Sequence, residues 1–224
     1  MDVQTIVDEA RLRSGNSVEP YLWIDAEWVK YLNEAQNEAC RVGYLIRDSE
    51  TSAICNIATV DGIRSYAYDS RIIKIITAKI STDTWYLQQI TRDQLDNRYP
   101  NWLGTTVKTK PRYFTLGYQS GKITLYAKPG AVYTVNMTVY RNPTAQITTT
   151  TMSGQTPEID SYYHPFLIDH MLYRAFLKPG AETYDRGKST EHFQLWNKFL
   201  NQLKREKIAF EDNQGTIGLH KAFR

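Results

Sequence analysis

Between residues 22 and 47, LWIDAEWVKYLNEAQNEACRVGYLIR, apolar and polar positions alternate with the period of a helix. Trp28, Leu32, Ala35, Ala39, Val42 and Ile46 recur every three or four residues, which places them on one stripe. Glu27, Lys30, Glu34, Glu38 and Arg41 occupy the other faces. Asp25 is the expected N-cap, since its carboxylate can accept from free amides of the first turn. Ile24 and Val29 are spaced for a hydrophobic staple. A narrow apolar stripe flanked by charge calls for a second helix beside it, and the two alanines allow close approach. Upstream, Val3, Ile6, Val7 and Ala10 predict a helix over Val3–Ser14, capped by Asp2 and stopped by Gly15.

After residue 52 the period shortens towards two. Residues 54–60, 65–68, 71–81, 85–90, 113–118, 122–127 and 132–141 are rich in Ile, Thr, Val and Tyr and predict seven strands. Asp61-Gly62, Gln119-Ser120-Gly121 and Pro129-Gly130 supply turns. The doublets in RIIKIITAKI suggest a strand covered on both faces or carrying a bulge. Thr91 and Gln94 match a capping box, so a short helix is expected over residues 92–97. Residues 142–158 include QITTTTMSGQT, nearly uncharged, and are expected to form a mobile or partner-ordered loop.

Two helices follow, over residues 162–177 and 185–208. The first is apolar on several sides and therefore buried; the second presents Phe193, Trp196, Phe199, Leu200 and Leu203. Residues 209–224, AFEDNQGTIGLHKAFR, lack a helical period and are expected to form an extended arm. Ile217 and Leu219 alternate there as in a strand able to join a sheet edge. The fold class is α+β: a helical bundle from the N- and C-terminal helices, with an inserted antiparallel β-sandwich or barrel-like domain and a C-terminal arm. The expected domains are residues 1–52 and 159–208 for the bundle, 53–141 for the β-domain, 142–158 for the Thr-rich loop and 209–224 for the arm.

The 16 Tyr, 5 Trp and 7 Phe suit either a half-exposed sheet or a contact surface. Net charge is +3 overall but uneven: residues 1–52 hold five basic and ten acidic residues, and residues 53–150 hold twelve basic and five acidic. That asymmetry favours head-to-tail contact between copies or weak contact with nucleic acid. Cys40 and Cys55 are too few for a disulfide framework and are expected as free thiols in a reducing compartment. The chain opens without an apolar leader and contains no membrane-spanning run.

No catalytic signature is present: there is no GxGxxG, phosphate loop, HExxH or GxSxG. No catalytic residue, metal ligand or cofactor site is therefore expected. His164, Asp169 and His170 are close in sequence, but positions six apart on a helix point about 120° apart. Satisfied boundary histidines are the better expectation. Carboxylate pairs such as Glu34/Glu38 and Asp93/Asp96 read as solvated helix faces. Lys108, Lys110, Arg112 and Lys122 interleave with Tyr113, Phe114, Tyr118 and Tyr126. Such a sheet face can bind single strands, and a β-domain module for nucleic acid or carbohydrate is the alternative function.

Three blocks carry a family resemblance. They are VDEARLRSGNSVEPYLWIDAEWVKYLNEAQNEACRVGYLIRDS, SYAYDSRIIKI and YYHPFLIDHMLYRAFLKPGAETYDRGKSTEHF. Together they resemble the head-to-tail adaptor, or connector, proteins of tailed bacteriophages. The resemblance implies a non-enzymatic structural protein of the virion neck or tail, made in the host cytoplasm. It implies a twelve-fold homo-oligomeric ring that binds the portal and a tail or nozzle protein. DNA would pass through its centre without sequence-specific binding, and no membrane is involved. On that basis Phe210, Ile217, Leu219 and Phe223 are candidate portal-binding anchors in the arm. Trp28, Leu32, Ala35, Ala39, Val42 and Ile46 are the candidate helix-packing stripe.

Overall fold

The computed structural model describes residues 1–180 and 182–219, with the backbone alone for Thr151 and residues 210–219. Its described residues divide into two compact units: residues 1–46 with 142–224, and residues 47–141.

The first unit is helical. Helix α1, Val3–Ser14, starts where Asp2 accepts from the Thr5 amide (2.8 Å) and stops at Gly15, whose φ of 76° suits a residue without Cβ. Helix α2, Asp25–Gly43, carries the stripe. It packs on α5, His164–Ala175, and α6, Arg186–Leu219. Trp28, Leu32, Ala35 and Ala39 are fully buried there, beside Leu167, Met171, Trp196 and Leu203. The N-cap is Ile24, not Asp25. Asp25 opens the helix and pairs with Arg11, while Glu27 accepts from the Ile24 amide (3.1 Å). At the other end the helix stops earlier than the pattern suggested. Tyr44 adopts a left-handed conformation (φ 57°) and its amide closes on the Cys40 carbonyl. Ile46 therefore leaves the helix stripe and lies in a strand, and Val42 is only half-buried. Gly43 sits against α6, where an added Cβ would lie 3.1 Å from the Leu203 side chain.

Three of the glutamates on the polar faces of α2 are engaged. Glu27 pairs with Lys178 (2.9 Å), Glu34 with Arg174 (3.0 Å), and Glu38 accepts from the Trp196 indole (3.0 Å). They tie α2 to α5, to the turn that follows it and to α6 instead of facing only water.

The Thr-rich segment, expected as a mobile or partner-ordered loop, is instead packed within its own unit. Ile147 and Met152 are buried, and a 3₁₀ turn spans Thr149–Thr151. The Asn33 amide exchanges two hydrogen bonds with the Ile147 backbone (2.9 Å each). Gln36 accepts from the Glu158 amide, and the amides of Val3 and Gln4 bond carbonyls of Gln155 and Met152. Polar side chains of α2 supply partners for backbone that has no sheet or helix of its own.

The second unit is built from eight strands and two short helices. These are β1 Ile46–Asp48, α3 Ser52–Cys55, β2 Asn56–Ala58, β3 Ser65–Ala67, β4 Ile72–Ile80, β5 Gln88–Gln89, α4 Arg92–Arg98, β6 Tyr113–Leu116, β7 Lys122–Tyr126 and β8 Thr134–Arg141. In one sheet β8 pairs with β1, β2 and β4; in the other the order is β3-β7-β6-β5. The two sheets share a core of Ile75, Ala78, Phe114, Leu125, Val135, Met137 and Val139 and do not close into a barrel. The β4–β8 pairing is antiparallel with two register shifts, as the doublets of RIIKIITAKI suggested. β6 and β7 form a hairpin in which Tyr113 faces Tyr126, and β5 joins β6 in parallel. The capping box forms on α4, where Thr91 and Gln94 exchange side chain-to-backbone bonds. The first expected strand is half helical: Asp48 accepts from the amides of Glu50 and Thr51, turning the chain, so that the adjacent residues Ile54 and Cys55 are both buried.

Helix α6 continues to Leu219, beyond the expected end near residue 208. The stretch from 209 to 219 is therefore helical and not an extended arm. Adding one residue to an existing helix costs far less than nucleating one, and the two glycines oppose it by only about 1 kcal/mol each. The remaining part of the expected arm, including Phe223, lies outside the described residues.

Candidate interaction surfaces

The most built surface of the second unit surrounds Tyr113. Thr91 and Gln94 start α4, and Leu95 anchors it through a small core with Ile90 and Trp102. The chain then returns over the β6–β7 hairpin. Trp102 is buried; its indole donates to Asp96 (2.5 Å) and packs edge-on to Tyr126. Tyr99 lies against Tyr126, with ring centroids 4.4 Å apart. Arg64 holds this return from below: its guanidinium lies over Trp102 and donates to the Thr105 carbonyl (2.9 Å). Burial pushes the Arg64 pKa down.

Three adjoining clefts share Tyr113 as a wall. One of about 650 Å³ lies beside β5 and α4, lined by Gln88, Gln89, Gln94, Asn97 and Arg98 over Ile90. A second, about 390 Å³, is lined by Trp85, Tyr86, Gln88 and Arg112. A third, about 300 Å³, includes Tyr99, Val107, Lys110 and Arg112. No carboxylate lines any of them. Arg98 stands over the Tyr99 and Tyr113 rings (5.8 and 5.5 Å). Neither Arg98 nor Arg112 forms an ion pair among the described residues.

The interleaved basic and aromatic residues of the sequence do not form one stacking platform. Phe114 is in the core, Lys108 pairs with Asp61 (2.8 Å), and Lys110 pairs with Asp83. What they leave both exposed and without an ion pair among the described residues is Arg112, beside a half-buried Tyr113.

His164, Asp169 and His170 do not converge. His164 is buried with its ring nitrogens at the Ile159 and Met1 carbonyls (3.0 and 3.1 Å). Asp169 meets His192 (3.0 Å). His170 is enclosed by the Trp196 and Tyr173 rings. Burial, with the nearby Arg174 adding, pushes its pKa down to about 4.

In the first unit the stripe is an internal packing surface: Trp28, Leu32, Ala35 and Ala39 contribute to the bundle core, while Val42 and Ile46 do so less or elsewhere.

 Of the candidate anchors, Phe210, Ile217 and Leu219 fall on the helical backbone of α6, and Phe223 lies outside the described residues. Before them, Leu203 is the last buried side chain among those described in α6; Lys204, Arg205, Glu206, Ile208 and Ala209 are all exposed.

A family model for the SU10 adaptor protein matches residues 1–217. The chain belongs to that family. A comparison with individually curated proteins finds no match. Membership makes the chain a phage structural adaptor, in agreement with the resemblance carried by its three sequence blocks. No helix among the described residues is long and apolar enough to cross a membrane.

Two features of this adaptor escaped the sequence. The Tyr113 clefts draw on residues 85–113 together with Tyr126 and Ala127, and the segment 99–112 has no period to announce how it folds back. The clasp from Asn33 and Gln36 to the Thr-rich segment had one weak signal: two amide side chains three apart on α2, close to an otherwise apolar stripe.

Proposed function

We propose that this adaptor assembles as a closed twelve-fold ring that joins the portal to a tail or nozzle protein, with DNA passing through its centre. The family match over residues 1–217 carries the reading. A head-to-tail contact repeated about an axis closes into a ring when its rotation allows. Opposed charge favours such a contact: residues 47–141 hold thirteen basic and seven acidic residues, and the rest of the chain fourteen basic and seventeen acidic. The role is structural, with no catalysis and no sequence-specific recognition of DNA.

We assign portal attachment to residues 209–224. Helix α6 runs for 34 residues, and among its described side chains, which end at Ala209, the last buried one is Leu203. An isolated helical extension is marginal in water, and the run of exposed side chains at Lys204, Arg205, Glu206, Ile208 and Ala209 leading into it suits a partner that covers the end of the helix. Phe210, Ile217, Leu219 and Phe223 are the apolar anchors. The helical backbone to Leu219 favours a helix laid in a groove over addition of a strand to a sheet edge.

The test mixes the full chain, and a chain ending at residue 208, with purified portal, and examines both by electron microscopy. The full chain should add a twelve-fold ring to the portal. The truncated chain should keep nearly the same melting temperature and lose most of its attachment. Undiminished attachment without residues 209–224 would refute the assignment of the arm, and failure of the full chain to add any ring would refute the adaptor ring itself.

A further inference from the structure

The connector between α1 and α2 forms a pinned loop. Asn16 accepts from the Leu22 amide (3.0 Å), closing its base. Arg11 lies over the Tyr21 ring (4.0 Å) and pairs with Asp25, which fixes the flank. Between these pins Ser17, Val18, Glu19 and Pro20 are all exposed, with Val18 at 78%. Asp8, Glu9, Asp25, Glu27 and Glu34 are paired within their own unit. Glu19 forms no ion pair among the described residues. The loop therefore offers one apolar side chain and one uncommitted carboxylate on a preorganised tip.

The Tyr113 clefts offer the complement. They hold exposed aromatic surface from Trp85 and Tyr86, amide side chains able to meet peptide backbone, and two uncommitted guanidiniums, Arg98 and Arg112. We propose that the Val18–Glu19 tip of one copy docks in the Tyr113 clefts of a second copy, with Glu19 on Arg98 or Arg112 and Val18 against the aromatic walls. This rests on the ring reading and names the surfaces that would build it. A charge-assisted arginine–carboxylate contact has the required directionality, and a preorganised loop loses little entropy on docking. A nucleic-acid strand fits less well. It needs a row of free cations, whereas Lys108 and Lys110 are already paired with Asp61 and Asp83.

The test uses the full chain with purified portal and scores ring occupancy by mass photometry. Glu19→Arg alone, and Arg98→Glu with Arg112→Glu, should each weaken association about tenfold or more, and combining all three should restore much of it. In parallel, Val18→Cys with Asn97→Cys should give a ladder of disulfide-linked oligomers under mild oxidation. Background should be low because Cys40 and Cys55 are buried. Normal rings from every charge variant, with no ladder, would overturn the proposed surfaces and leave the ring standing. A wild-type chain that stays monomeric on the portal would overturn the ring and this contact together. Block of the ladder by a thymidine oligonucleotide that also quenches Trp85 would assign the clefts to nucleic acid and overturn the proposal.

Discussion

Substituting Arg141 by Met tests how the second unit is closed at its ends. Asp48 and Arg141 stand next to the two points where the chain passes between units, and they pair at 2.5 Å. Their side chains are each only 7% exposed. Burial alone would raise the Asp48 pKa. Hydrogen bonds from the Thr51 side chain and amide, the Glu50 amide and Arg141 outweigh it and hold the carboxyl well below the usual range. Arg141→Met keeps most of the aliphatic volume and leaves a buried carboxylate without its cation, a change that costs about 3–5 kcal/mol. Adding Asp48→Asn removes the stranded charge while an amide oxygen can still accept from Glu50 and Thr51. The double variant should recover at least half of the loss.

The pH dependence follows from the same pair. Because the folded pKa of Asp48 is depressed, its contribution is present above the unfolded value of about 3.9 and is lost as pH falls towards the folded one. In Arg141→Met the stranded carboxyl takes up a proton more readily, so the variant should approach wild type as pH drops from 7 to 4. Urea unfolding of the full chain at both pH values, followed by far-ultraviolet circular dichroism, measures this. A loss below about 1 kcal/mol at pH 7, the range of an exposed pair, would refute the reasoning. So would a gap between variant and wild type that does not change with pH.

In the bundle, Trp28→Ala should cost about 3–5 kcal/mol, as for a fully buried ring. Leu32→Asp should leave the helical unit unfolded because an unpaired carboxylate would enter the core; unchanged melting of either variant would show that the stripe is not core. Asn33→Ala removes both bonds to Ile147 and should cost about 1–3 kcal/mol, with faster proteolysis within residues 144–155; equal proteolysis rates would show that the segment is held by apolar contacts alone. The neutral His170 should make stability fall as pH drops from about 6.5 towards 4, because the unfolded chain takes up the proton first. His170→Phe should flatten that slope in melting curves, and an unaltered slope would assign it elsewhere.

The elements that could be read from the sequence are those whose hydrophobic period is local. The caps at Asp2 and Thr91, the stripe from Trp28 to Ala39, the bulged β4 and the β6–β7 hairpin each depend on residues a few positions apart. The α+β class followed from the order of those periods. Ile46 fits the helical stripe by spacing, yet α2 ends at Gly43, where Leu203 packs close and Tyr44 turns the chain. The Thr-rich segment lacks a period, and its order comes from Asn33 and Gln36 more than a hundred positions away. The reach of α6 to Leu219 depends on continuing a helix already nucleated upstream, which a local period does not record. The Tyr113 clefts exist because Tyr99 and Trp102 fold back over Tyr126, a contact between segments that share no pattern. Local patterning thus determined the type and order of most helices and strands, because backbone geometry repeats over a few residues, while several of their ends were set by distant contacts. Tertiary structure decided which side chains remain uncommitted at the surface, because that depends on partners brought together from distant parts of the chain.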